Sequence, residues 1–367
     1  MNETKWLTGI DGDAMLELVS DRLSPRQWLL ASAALARRLW DMLPDGALRR
    51  AVECAERAAA PIPADARAKW LSDIDAGVPA AVGAAELAQR AIVSTTDPDA
   101  ALVPVSEQMD DKQVVPALPL FQAASRNAAN SVEWYSEAVG VAAQAVRVLF
   151  TDPNPQMFDL ARRRVEEALA GRERANRAAN NALRFKQEGD EHADRSAGAK
   201  NKRLAESQAL ETVRRIEESS GTNEDAQFDA EMRREKRERK HLARVLREIV
   251  GNAFKPPRFE AAWRTDTVVA LARGIFEERA FDRMPILADA LLDADCDEEA
   301  ILRHCRGTEV GVKEQPQHVR GCWVIELILG RYEPLPEAKP APKPKKKRSR
   351  LDDLFDFGPL ADDDRLA

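Results

Sequence analysis

Cysteine is scarce in this chain, with four in 367 residues, too few for a disulfide framework. Aromatic residues make up only 5%, so any core must be thin and built from Leu, Val and Ala with a few Trp. No window approaches the roughly 18 uncharged apolar residues that a membrane span needs. Met1 to Ile10 holds one Lys and no apolar run of signal-peptide length. Together these absences set the expectation of a reducing, cytoplasmic setting. The common catalytic signatures are missing too: no P-loop, no Rossmann glycine pattern, no HExxH and no GxSxG. A net charge of −7 opposes any broad coating of nucleic acid, because phosphate repels it.

What is present favours helices. Ala, Glu, Arg and Leu abound and long stretches lack Gly, which is helix-forming composition. The expected fold class is all-α: multi-helix, bundle-like modules joined by polar linkers, with a disordered C-terminal tail. Residues 1–93 read as an N-terminal helical module. Ser24-Pro25-Arg26-Gln27 carries an N-cap, a first-turn proline and a Gln that closes a capping box. Trp28, Leu35, Leu39 and Met42 then recur at helical spacing, and Cys54 sits among alanines as a small core residue.

Residues 94–119, with Pro98, Pro104, Pro116 and Pro119, read as a linker. Residues 120–244 read as a helical, highly charged middle region. Its candidate core begins with Trp134, Tyr135, Val141 and Val148, and Leu204, Leu210, Val213 and Ile216 form a later stripe. The basic run from Arg233 to His241 is diluted by Glu235 and Glu238, so a solvated helix is expected there rather than a nucleic-acid arm. No apolar heptad persists over three repeats, which argues against a coiled coil.

Residues 245–332 read as a C-terminal helical module. Thr265-Asp266 starts one helix, Asp282 and Pro285 the next, and Asp297 caps a short helix that Gly307 stops. Cys322 to Leu329 is expected to be a helix ended by Gly330, since no partner strand is visible. The tail, 333–367, opens with PLPEAKPAPKPKKKRSR, too rich in Pro and Lys to fold. Its basic stretch 343–350 suits weak nucleic-acid contact at most. Leu351, Leu354, Phe355, Phe357 and Leu360 follow in an acidic background, a pattern that suits docking into the groove of a protein partner.

Three of the four cysteines and two of the four histidines fall between Cys296 and Cys322. Tetrahedral zinc needs donors within roughly 4 Å of one another. Cys296 and Cys305 flank the short helix and would stand more than about 10 Å apart, too far to share one ion. His304 and Cys305 point about 100° apart on a helix, so one of the two is the natural ligand. The candidate set is therefore Cys305 or His304, with His318 and Cys322, and zinc is the possible cofactor. The competing reading makes Cys322 a core residue and His318 a cap. A thiol nucleophile at Cys305 lacks any visible oxyanion hole or orienting carboxylate.

The stretches WLTGIDGDAMLELV and AFDRMPILADALLDADCDEEAILRHCRG…HVRGCWVIELILG resemble a family of helical proteins expanded in planctomycete bacteria. The likeness covers about residues 246–331 and the first 60. It implies that Cys296, His304, Cys305, His318 and Cys322 occupy recurrent motif positions. The clustered cysteines that relatives carry around Ala33, Leu35 and Ala36 are absent here. No activity is established for that family, so the resemblance implies none. The sequence is thus read as a non-enzymatic helical adaptor that docks through its tail, with a zinc-binding module, structural or catalytic, as the alternative.

Overall fold

In a computed structural model, residues 1–44, 46–58, 62–93, 115–219, 224–308 and 318–336 are described, and they form thirteen α-helices and no strand. The all-α expectation holds. Helix α1 (Glu3–Thr8), α2 (Gly12–Val19), α3 (Pro25–Ala36) and α4 (Ala47–Arg57) come first. The capping box at Ser24 forms as read: Ser24 Oγ accepts from Gln27 N at 3.2 Å, and Gln27 Oε1 accepts from Ser24 N at 3.0 Å. Helix α3 is buried on nearly every side, so it serves as the axis of the N-terminal core.

Four long helices follow: α5 (Ala64–Val93), α6 (Leu118–Val148), α7 (Pro155–Ser196) and α8 (Lys202–Ser219). Trp70 stacks on Phe150 and Gln89 bonds Ser131, which sets α5 antiparallel to α6. Ser131 donates to Ala175 O at 2.9 Å, and Gly171 lies over Ala138, which sets α6 antiparallel to α7. The seam is alanine, with Ala138, Ala142, Ala145, Ala168, Ala175 and Ala182 all buried. A Cβ at Gly171 would fall 2.8 Å from that of Ala138, so the helices approach as closely as backbones allow. Long helices therefore pair here on small residues, without the apolar heptad of a coiled coil.

Helix α9 (Glu224–Val250) leads into α10 (Asp266–Glu278), α11 (Met284–Asp293), α12 (Glu299–Arg306) and α13 (Trp323–Ile328). Two main cores result. The first joins Trp6, Trp28 and Leu35 to Val146, Phe158 and the end of α9. The second runs from Trp263 to Ile328 and holds Cys296, Cys305 and Cys322. Residues 1–335 form one compact unit. The boundary expected at 244/245 falls inside α9, whose Val245, Leu246, Ile249 and Val250 belong to the first core. Trp28 and Phe158, 5.1 Å apart, place the N-terminal module and the middle region in that same core.

Several local expectations are corrected. Leu204 and Leu210 are more than half exposed, while Ala205, Ala209 and Ile216 face inward, because close helix packing selects the small face. Pro116 and Pro119 belong to a helical start rather than a linker, with Ala117, Leu120 and Phe121 buried beside them. Asp297 does not cap α12; Glu298 holds that position without a side-chain bond, and Asp297 pairs with Arg258. Gln27 Nε2 donates to Glu333 O at 2.9 Å and Leu335 packs on the first core, so the chain stays attached past 333. The stretch 343–350 and Leu351, Leu354, Phe355, Phe357 and Leu360 lie outside the described residues. In the Arg233–His241 run, Arg233, Arg234, Arg237 and Arg239 each pair with an acid, and Glu238 holds Arg38.

Candidate metal centre

Four side chains converge at the junction of the two cores. Glu248 comes from the last turns of α9, His304 from the end of α12, and His318 and Cys322 from the segment that enters α13. One donor atom from each lies within 4.8 Å of all the others. His304 Nε2 is 3.1 Å from Cys322 Sγ and 3.8 Å from Glu248 Oε2. His318 Nδ1 donates to Glu248 Oε2 at 3.2 Å. The two imidazoles meet edge to face with centroids 4.8 Å apart, and Trp323 lies against His304 at 5.1 Å.

Local sequence explains how each donor arrives. Glu248 sits three residues after Val245 on the apolar face of α9, so it must point inward. Helix α12 is strongly amphipathic and turns Ile301, Leu302, His304 and Cys305 toward the protein. Gly321, at φ +100°, turns the chain between His318 and α13, and only glycine adopts that region freely. A Cβ there would lie 3.1 to 3.4 Å from Leu30, so this turn also packs directly on α3.

The electrostatics follow from burial with partners. Burial alone would push the Cys322 thiol up, but the charge of His304 and hydrogen bonds from both histidines outweigh it and hold the thiol below its ordinary value. Burial opposes protonation of His318, yet the Glu248 carboxylate dominates and raises it to about 9. Cys305 differs: burial drives its pKa well above the usual thiol value.

Of the two alternatives at the end of α12, then, His304 faces the cluster and Cys305 faces the apolar core. Cys296 packs in that core as well, held by its N–H bond to Leu291 O at 2.9 Å. His318 binds an acid instead of capping a helix. Cys54, half-buried on α4, packs on the first core. Glu248 is the member that the sequence reading missed. Its signal was available: one acid on the inward face of an otherwise apolar helix end, REIV. A buried acid needs a partner, and the histidines supply it.

The donor set of one thiolate, two imidazoles and one carboxylate suits a metal cation chemically, and its spacing needs only a small contraction to surround one. No helix among the described residues is long and apolar enough to cross a membrane. Comparison with protein-family models, with curated proteins and with solved structures gave no match.

Proposed function

We propose that the protein is a non-enzymatic helical scaffold whose C-terminal helices are fastened to its N-terminal core by one structural zinc ion, held by Glu248, His304, His318 and Cys322. The observation that carries this reading is the convergence of four donors from three separated segments into one buried cluster. Mixed sulfur, nitrogen and oxygen donors suit zinc better than the oxygen-loving magnesium or calcium. Four protein ligands close a tetrahedral shell, and that is the structural rather than the catalytic pattern. Burial agrees: Cys322 is 0% and His304 2% exposed, which leaves a substrate no approach to the thiol.

Elemental analysis of untagged protein expressed with zinc tests the proposal, beside a His304→Ala/His318→Ala/Cys322→Ser variant. About one zinc per chain in the parent and none in the variant is the expected result. A parent that carries no zinc after expression with zinc would overturn it.

The adaptor role belongs to the same proposal and rests on the sequence: a basic, proline-rich stretch leading to Leu351, Leu354, Phe355, Phe357 and Leu360. Removing 351–367 is expected to leave both the zinc content and the thermal unfolding of the remainder unchanged, while binding to a protein partner is lost.

A further inference from the structure

Between the two ligands on the last segment stands Arg320, 3% exposed and with three of its nitrogens engaged. Its Nε donates to Phe276 O at 2.8 Å and its Nη2 to Glu277 O at 2.7 Å. Those carbonyls belong to the last turn of α10, where helical partners have run out. The remaining arm, Nη1, reaches Glu56 Oε2 at 3.1 Å. Glu56 lies near the end of α4 and is 2% exposed. It also accepts from Arg37 Nε at 2.8 Å and from Arg279 Nη1 at 2.8 Å.

One side chain thus ties the ligand-bearing segment to two other elements at once, α10 on one side and α4 on the other. On its C-terminal side, Gly321 rests on Leu30, closer than a side chain there would ordinarily pack. The backbone from His318 to Cys322 is therefore clamped before any ion arrives. A metal site gains affinity when its ligands need no reorganisation, and partners behind the ligands typically change affinity by roughly ten- to hundredfold.

We infer that Arg320 is the positioning residue of the metal centre, presetting the segment between His318 and Cys322 through its bridge from Glu56 to the end of α10. This rests on the zinc reading proposed above. It adds a dependence: the metal site relies on an arginine that bonds α4 and α10 and touches none of the four donors.

The test compares the full-length parent with Arg320→Met and Arg279→Met. Both variants remove one of the three arginines from the same carboxylate and leave Glu56 two partners, so the loss of that ion pair is common to both. Only Arg320 carries the ligand segment. Zinc affinity is read by competition with a chromophoric chelator, and site geometry by the visible absorption of the cobalt(II)-loaded protein. Arg320→Met is expected to bind zinc roughly ten- to hundredfold more weakly and to lose intensity in the tetrahedral cobalt bands. Arg279→Met is expected to match the parent in both. Equal affinity in parent and Arg320→Met, or an equal loss in the two variants, overturns the positioning role while leaving the zinc reading standing. A parent that binds neither ion overturns both. Arg320→Lys, which keeps charge and most of the volume, carries the same comparison if Arg320→Met does not fold.

Discussion

At the scale of single residues, the most telling side chain outside the candidate metal centre is His241 on α9. Its Nε2 is buried and lacks a hydrogen-bond partner. Burial, aided by the charge of Arg38 against the weaker pull of Glu238, lowers its pKa to about 4 from the ordinary 6.5. The folded protein therefore holds this proton less tightly than the unfolded chain does. Stability from this group is complete above pH 6.5 and is lost as pH falls toward 4. At pH 5 the loss amounts to about 2 kcal/mol, from the difference in proton uptake between the two states. Urea unfolding at pH 7.5 and pH 5 checks it: His241→Leu should lose about 2 kcal/mol less than the parent on acidification. Equal losses would show that His241 is already protonated in the fold. The sequence showed His241 only as part of a basic run. Part of its shift comes from Arg38, which lies 200 residues from its partner Glu238 in the chain and is invisible to any local pattern.

At the scale of elements, the helical starts and stops were legible because capping is local. Ser24, Thr265 and Gly307 each do what their residue type implies. The seams between helices were not, because alanine gives little periodic contrast and the outer Leu204 and Leu210 are larger than the inner Ala205 and Ala209. Polarity inside that seam supplies a direct test. Gln89 Nε2 donates to Ser131 Oγ at 2.6 Å, and Ser131 Oγ donates to Ala175 O, linking α5, α6 and α7 in one buried relay. Ser131→Ala strands the Gln89 amide and is expected to destabilise the protein by about 1–3 kcal/mol. Gln89→Leu combined with Ser131→Ala removes both partners and should recover most of that loss. Chemical denaturation of the two variants decides; a double variant no better than the single would mean that the relay is not what Ser131 contributes.

At the scale of the whole molecule, charge holds together segments far apart in the described chain. Arg26 reaches Glu326 at 2.6 Å with both side chains buried, and Arg331 completes that pair at 3.1 Å. Glu56 gathers Arg37, Arg279 and Arg320 in the same way. Trp6 Nε1 donates to Gly251 O at 2.8 Å, and Tyr332 OH to Val250 O at 2.9 Å. Separate N-terminal and C-terminal modules were expected because nothing local in the sequence announces these long-range pairs. The candidate metal centre takes donors from the end of α9 and from the C-terminal core, so an ion there would add stability through the join between the two cores. Ligand linkage fixes the amount: at free zinc 100-fold above its dissociation constant, the folded state gains about 2.7 kcal/mol. For a chain of this size that corresponds to a rise of several degrees in melting temperature. Calorimetry in zinc-buffered and chelated solutions should show the rise in the parent and none in Cys322→Ser. Loss of zinc should also leave most helicity in place, because the first core contains no ligand except through the end of α9. A chelated protein that loses its α6–α7 helicity together with the C-terminal core would show that the cluster supports the whole fold rather than one join within it.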